Sequence, residues 1–139
     1  MKRSDELQAL YERLLPEAIE AAGKAWCPHS DFPVGAALMT GNGEVVRGCN
    51  VENVSYGLTN CAERTALFSA ISQGLAPGSF RAMLVYAPKV AVISPCGACR
   101  QVMLELLGRD CPVFCVGHDP QSARDWTVEQ LLPGAFDSL

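Results

Sequence analysis

Ser94-Pro95-Cys96-Gly97-Ala98-Cys99-Arg100-Gln101 is the stretch around which this chain is organised. It follows an apolar segment and precedes an amphipathic one, so it is predicted to connect a strand to the start of a helix. Cys96 and Cys99 would then share one face of a helical turn, about 5–6 Å apart at their Cβ atoms. That spacing lets both sulfurs reach one ion at the usual zinc–sulfur length of about 2.3 Å. Thiol redox motifs use the same spacing, so the pair alone leaves both interpretations open.

A second motif, Asn60-Cys61-Ala62-Glu63-Arg64-Thr65-Ala66, stands upstream at another predicted helix start. Cys61 offers a third thiolate, and three protein ligands would leave one tetrahedral position of a zinc ion open, as in catalytic sites. Residues two apart in a helix point to different sides, so Glu63 can face a metal held by Cys61 only if Cys61 is the helix cap. We therefore expect the helix to begin at Cys61 or Ala62. Arg64 and two helix dipoles are expected to offset the negative charge of three thiolates.

Length and composition predict one globular domain over residues 1–139. No apolar run approaches the roughly 20 residues that span a bilayer. The net charge is −4 with the acidic residues scattered, which argues against a nucleic-acid polymer as substrate, because a phosphate backbone needs a clustered basic surface. A small neutral ligand suits this charge distribution better.

The cysteine content indicates a reducing compartment. The chain has seven cysteines, an odd number, and its first residues lack the pattern of a signal peptide, so a secreted disulfide scaffold is not expected. We expect a cytoplasmic protein. Four cysteines stand in or beside apolar runs and are interpreted as buried core thiols: Cys27, Cys49, Cys111 and Cys115.

Periodicity and turn signals give the order helix, strand hairpin, helix, strand, helix, strand, helix. The helices are expected over residues 4–26, 61–73 and 97–107 and from Thr127 onward, and the strands over 34–39, 44–49, 82–87 and 112–117. Pro16 either kinks the first helix or begins a second one. This order predicts an α/β protein with helices on both faces of a largely parallel sheet that has one antiparallel edge strand. Both cysteine motifs would then open helices at one crevice.

Five motifs together resemble the small, homotetrameric, zinc-dependent type of cytidine deaminase, in the cytidine/deoxycytidylate deaminase family. In chain order they are Ser30-Asp31-Phe32-Pro33-Val34-Gly35-Ala36-Ala37, Gly48-Cys49-Asn50-Val51-Glu52-Asn53, Cys61-Ala62-Glu63-Arg64-Thr65-Ala66, Ser94-Pro95-Cys96-Gly97-Ala98-Cys99-Arg100-Gln101 and Leu131-Leu132-Pro133-Gly134-Ala135-Phe136. His29 departs from the family pattern, in which a tyrosine is common there, and the segment 88–93 is also less typical. The resemblance implies a three-layer α-β-α fold around a mixed, mostly parallel, five-stranded sheet.

The resemblance also implies the reaction, which is hydrolysis of cytidine and 2′-deoxycytidine to uridine and 2′-deoxyuridine with release of ammonia, in pyrimidine salvage. Cys61, Cys96 and Cys99 would bind one zinc ion per subunit. Glu63 would take a proton from the attacking water and pass it to N3 of cytosine, and it would later pass a proton to the departing amine. Arg64 keeps its supporting place beside the sulfurs.

Substrate contacts follow from the same resemblance, and the residues expected to make them are Phe32, Asn50, Val51, Glu52, Tyr56, Ala62 and Phe136. Asn50 and Glu52 would hydrogen-bond the ribose, and their spacing on an extended segment puts both side chains on one side. Phe32 would pack against the base, and the backbone of Ala62 would contact it. The family's sites are completed by neighbouring subunits, which gives Tyr56 and Phe136 roles across an interface.

Two other functions stay open from the sequence. One is deamination of another cytosine-bearing small molecule, such as a blasticidin-like nucleoside, although the Asn50-Val51-Glu52 segment favours the nucleoside enzyme. The other is a non-catalytic zinc or thiol redox module. A redox module predicts a reversible Cys96–Cys99 disulfide, whereas a structural zinc site predicts a fourth protein ligand and no role for Glu63.

Overall fold

The computed structural model describes residues 2–139 as a five-stranded sheet with helices on both faces. The helices are α1 (Asp5–Ala22), α2 (Ala62–Ser72), α3 (Gly97–Leu106) and α4 (Val128–Leu131), and the strands are β1 (Gly35–Thr40), β2 (Val45–Cys49), β3 (Phe80–Tyr86), β4 (Pro112–Val116) and β5 (Arg124–Thr127). Short 3-10 turns span Tyr56–Leu58 and Pro120–Ser122. No helix among the described residues is long and apolar enough to cross a membrane.

The sheet has the strand order β2-β1-β3-β4-β5. The mixed three-layer α/β fold with an antiparallel edge is confirmed, but the expectation of a mostly parallel sheet is wrong. Among the described strands, only β3 and β4 pair in parallel. The hairpin strand β1 lies between β2 and β3 and is antiparallel to both. The connection from β4 to β5 is too short for a parallel crossover, which needs a dozen or more residues.

Strand direction nevertheless agrees with the expected placement of the two cysteine motifs. β2 and β3 are each antiparallel to β1, so they run in the same direction. Their carboxyl ends therefore meet at one edge of the sheet, and the chain passes from these ends towards α2 and α3. Both helices thus begin at the same edge.

The core has two halves, one on each face of the sheet. On one face α1 packs against β1, β3 and β4 through Leu14, Ala37, Leu84 and Phe114. On the other face α2, α3 and α4 pack together over the same sheet, with Leu67, Met83 and Met103 fully buried. Pro16 lies inside α1, which continues past it to Ala22.

Two glycines permit the closest helix–sheet contacts. A Cβ atom built on Gly35 would lie 2.0 Å from the Ala18 carbonyl oxygen of α1. The same construction on Gly48 gives 2.4 Å to the Ala66 backbone nitrogen of α2. Real Cβ atoms do not approach backbone this closely, so any side chain here would push a helix off the sheet.

The four cysteines expected in the core divide into two pairs. Cys111 and Cys115 are buried, as expected, and burial raises the pKa of each thiol to about 12. Cys27 and Cys49 are only partly buried. They border the segment after α1 and the end of β2, where the sheet edge meets solvent.

Candidate active site

Three thiols converge at the shared edge of the sheet. Cys61 is the N-cap of α2 and Cys96 is the N-cap of α3, both with extended backbone, and Cys99 lies in the first turn of α3. The three sulfur atoms all lie within 4.8 Å of one another, and the Sγ atoms of Cys61 and Cys96 are 3.8 Å apart. The prediction that α2 begins at Cys61 or Ala62 is confirmed.

Charge around the sulfurs favours a thiolate at Cys61. Hydrogen bonding from the Cys99 thiol is the largest cause that lowers the pKa of Cys61 to about 5, and the guanidinium of Arg64 adds to it. Arg64 Nη2 donates to Cys61 Sγ over 3.2 Å. The pKa of Cys99 is raised, because this thiol is the donor to Cys61 and is buried. Cys61 is therefore the thiol of the cluster whose pKa favours a thiolate.

This donor set fits a zinc ion. Three soft sulfur ligands close together, one of them already anionic, match the ligand type and number of a catalytic zinc site. Arg64 supplies a positive charge that the three thiolates would need, and its Nε atom is buried without a hydrogen-bond partner among the described residues. Residues Cys61, Cys96 and Cys99 form the only such group of His, Cys, Asp or Glu within the described part of the chain.

Glu63 lies in the first turn of α2, two residues after Cys61, and is 4% exposed. Burial raises the pKa of its carboxyl to about 7, and the nearby Cys61 thiolate acts in the same direction. Cys61 has extended cap geometry, and Cys61 and Glu63 both line one cavity. A carboxyl with this pKa can both accept and donate a proton near neutral pH.

A cavity of about 350 Å³ opens over the cysteine cluster. Its lining residues are Ser30, Phe32, Val34, Asn50, Glu52, Thr59, Cys61, Ala62, Glu63, Val85, Ile93, Ser94 and Cys96. The structure therefore brings together five residues expected to serve substrate or proton transfer, which are Phe32, Asn50, Glu52, Ala62 and Glu63. No lysine or arginine is found among the lining residues in the described chain.

Asn50 holds the backbone segment around Phe32 and Val34, which forms one wall of this cavity. Its side-chain oxygen accepts a hydrogen bond from the Val34 backbone N–H over 2.9 Å, and its amide nitrogen donates to the Phe32 carbonyl over 2.8 Å. Asn50 is 7% exposed. Each polar atom keeps capacity for one more hydrogen bond, so the side chain can hold the wall and still contact a ligand.

Glu52 is held by the loop that precedes Phe32. Its carboxylate accepts hydrogen bonds from the backbone N–H groups of His29, over 2.8 Å, and Ser30, and from the Ser30 hydroxyl. These bonds lower the pKa of the Glu52 carboxyl, the Ser30 hydroxyl most of all. A fixed carboxylate therefore faces the cavity on the side of Asn50.

Three of the expected substrate contacts lie outside this cavity in their own chain. Val51 lies between Asn50 and Glu52, bridged to Trp26 and Asn60, with its side chain 44% exposed. Tyr56 is 77% exposed and borders a neighbouring cavity, where its ring lies 6.1 Å from that of His29. Phe136, near the carboxyl terminus, is 66% exposed.

Sequence reasoning missed several lining residues. Ser30 and Ser94 stand inside two of the motifs that carry the family resemblance, so those motifs could have indicated them. Val34 also lies inside the first of these motifs, and Ile93 directly precedes the other. Thr59 ends a loop without periodicity, and nothing in the sequence distinguishes it.

The chain is similar to known proteins over most of its length. The family model for the cytidine and deoxycytidylate deaminase zinc-binding region matches residues 8–115. Cytidine deaminase from Halalkalibacterium halodurans is 50% identical over 125 residues, which cover 90% of this chain and 92% of the relative. A blasticidin-S deaminase from Bacillus cereus is 32% identical over 108 residues, covering 72% of this chain and 74% of the relative.

Solved structures give the same result. The crystal structure of cytidine deaminase from Burkholderia pseudomallei superposes with a TM-score of 0.84 at 50% identity, covering 93% of this chain and 98% of that one. Cytidine deaminase from Mycobacterium tuberculosis gives a TM-score of 0.76 at 40% identity, over 92% of this chain and 98% of that one. With the family model matching across both cysteine motifs, the chain belongs to the cytidine and deoxycytidylate deaminase family.

Proposed function

We propose that this chain is a zinc-dependent cytidine deaminase, which hydrolyses free cytidine and 2′-deoxycytidine to uridine and 2′-deoxyuridine with release of ammonia. The observation that carries the proposal is the meeting of the three-thiol cluster with the buried carboxyl of Glu63 in one cavity. A structural zinc site would not need Glu63. Burial of the Glu63 carboxyl would then destabilise the fold with no compensating function.

Cys61, Cys96 and Cys99 would hold one zinc ion per subunit. When bound, the ion would supply a water of lowered pKa as the nucleophile. The Arg64 guanidinium, already donating to Cys61 Sγ, would keep the negative charge of the sulfurs from weakening that effect. No fourth sulfur, imidazole or carboxylate joins the cluster within the described residues, so one coordination position is left for the reacting oxygen.

Glu63 would move the protons. A carboxyl whose pKa is about 7 can take a proton from the attacking water at neutral pH, deliver it to N3 of the cytosine ring and then serve the departing amine. Attack of the water oxygen at C4 would form the new C–O bond. Glu63 would then carry the remaining proton of the C4 hydroxyl to the exocyclic nitrogen as the C4–N bond breaks, so that ammonia leaves and the first proton stays on N3 of the product. Because Glu63 is buried, its carboxyl would not exchange protons with bulk water during these transfers.

The cavity suits a nucleoside without a phosphate. Glu52 places a fixed negative charge beside the space and no lysine or arginine lines it in the described chain, so a 5′-phosphate would meet repulsion. Asn50 and Glu52 would bind the ribose hydroxyl, Phe32 would pack against the base, and the backbone of Ala62 would contact it. Val51, although its side chain is exposed, would keep its two neighbours facing the cavity.

We further propose a homotetramer in which neighbouring subunits complete each site, with Tyr56 and Phe136 acting across the interface. Both are large and exposed and lie outside the cavity of their own chain, which supports this arrangement. We also propose that residues 1–139 form one domain. A cytoplasmic role in pyrimidine salvage is consistent with seven free cysteines, as in a reducing compartment.

Zinc content and substrate range together test the proposal. Purified protein is expected to contain zinc and to cause the fall in absorbance that accompanies conversion of cytidine and deoxycytidine. Deoxycytidylate and blasticidin S, assayed at the same concentration, are expected to react far more slowly. A protein without zinc, with a reversible Cys96–Cys99 disulfide and no turnover, would instead be a redox module, and faster turnover of blasticidin S than of cytidine would reassign the substrate.

A further inference from the structure

The carboxyl-terminal segment after α4 is fastened to α3. Arg100 Nη1 donates to the Leu131 carbonyl over 2.7 Å, and Gln101 Nε2 donates to the Phe136 carbonyl over 2.8 Å. Arg109, just after α3, forms an ion pair with Asp137. Ala135 packs against the core on the α3 side of the sheet. The backbone on both sides of residue 136 is therefore held in place.

The side chain of Phe136 is exposed, although its backbone is anchored. Its carbonyl is bound and its neighbours are anchored, yet the ring is 66% exposed. A single exposed apolar side chain is ordinary on a mobile tail. Here the ring stands on a backbone that is held in place, so the space that it can occupy is limited and it is available to another molecule.

The ring does not line the cysteine cavity of its own chain. If Phe136 touches substrate, as in the proposed function, it does so in a second copy of this chain. The mobility of the Phe136 ring then affects how tightly the neighbouring subunit binds substrate. A more mobile ring makes less contact with the base and loses more conformational entropy when it packs there.

We infer that Gln101 is a positioning residue for the neighbouring subunit's active site, acting through Phe136. The inference rests on the proposed function and deepens it. Gln101 lies two residues after Cys99, so the start of α3 holds the cysteine cluster of one site and aims an aromatic ring at another. Arg100 supports the same segment, but it also holds the Ser94–Pro95 loop, so Gln101 is the residue whose substitution isolates the tether.

The test replaces Gln101 by methionine, which keeps the length of the side chain and removes its donor. The holoenzyme is expected to show a KM for cytidine raised about 3- to 10-fold, the range of one hydrogen bond, with kcat and zinc content unchanged. The matched control is Gln73→Met, since Gln73 is an exposed glutamine at the C-cap of α2 whose side chain hydrogen-bonds only Ser69, and it should leave KM, kcat and zinc content unchanged.

A double-substitution cycle decides whether Gln101 acts through Phe136. In a Phe136→Ala background, Gln101→Met is expected to add nothing to the rise in KM. Additive effects, an unchanged KM in Gln101→Met, or a joint loss of kcat and zinc would each overturn the inference while leaving the proposed function standing. If the unsubstituted protein converts no cytosine nucleoside, the proposed function fails, and the inference fails with it.

Discussion

Replacing Glu63 by glutamine should inactivate the protein and, above pH 7, stabilise its metal-free form. Glutamine has nearly the same shape but can neither accept nor release a proton. General acid–base catalysis contributes about 10²- to 10⁴-fold, so we expect kcat for cytidine to fall by at least about 10²-fold. Zinc content should be unchanged, because all three sulfur ligands remain.

The effect on stability follows from the pKa of the carboxyl. Its value is about 7 in the folded chain against an ordinary 4.5. A folded-state pKa raised in this way means that the folded chain binds the proton more tightly, so the contribution of Glu63 to stability is greatest below pH 4.5 and is lost as pH rises through 7. The difference amounts to about 3 kcal/mol. Glu63→Gln removes this loss, and the metal-free variant should be more stable than the metal-free parent by up to about that amount above pH 7.

Two measurements check the prediction. Turnover is followed by the absorbance of cytidine, and urea unfolding of the metal-free proteins, kept reduced, is compared below pH 4.5 and above pH 7. The control is Glu44→Gln, at an exposed carboxyl in the β1–β2 turn, which should change neither quantity. Turnover close to that of the parent, or a metal-free variant that is less stable than the parent above pH 7, would refute the assignment of Glu63 as a buried proton carrier.

Three further substitutions test the metal cluster and the fold. Cys99→Ala removes the buried sulfur ligand, so zinc measured by elemental analysis and cytidine turnover should both be lost. Arg64→Ala removes the donor that helps to lower the pKa of Cys61; protons should then compete with zinc at higher pH, and zinc release on acidification should begin earlier in the titration. Gly48→Ala places a Cβ atom 2.4 Å from the backbone of α2 and should cost about 1–3 kcal/mol in urea unfolding, whereas Gly57→Ala, which meets no atom within 4 Å, should be tolerated.

Local sequence signals predicted the site better than they predicted the sheet. Cap geometry at Cys61 followed from the requirement that Glu63 and the sulfur face one space, and the structure has that geometry. Strand pairing depends on which strand lies between which others, and no local pattern encodes that. The turn signals predicted a strand hairpin but not that β1 would lie in the interior of the sheet.

Short elements and side-chain partners were also beyond the sequence. β5 has four residues and its burial alternates, so nothing in its composition separates it from a loop. Pro16 could be read as a kink or a helix start, and tertiary packing of α1 decides for a continuous helix. Asn50 and Glu52 also hold the loop around Phe32 through hydrogen bonds to residues 16 to 23 positions away along the chain. Local sequence patterns do not indicate such distant partners.

The two hydrogen bonds of Asn50 also constrain how the substrate range of this protein can change. The side chain proposed to contact the sugar is the same one that fixes the backbone around Phe32, the proposed neighbour of the base. A substitution there would alter sugar recognition and the fit of the base together. Variation towards other sugars is therefore open mainly at Thr59 and Ser94, which line the cavity and make no hydrogen bond to this wall.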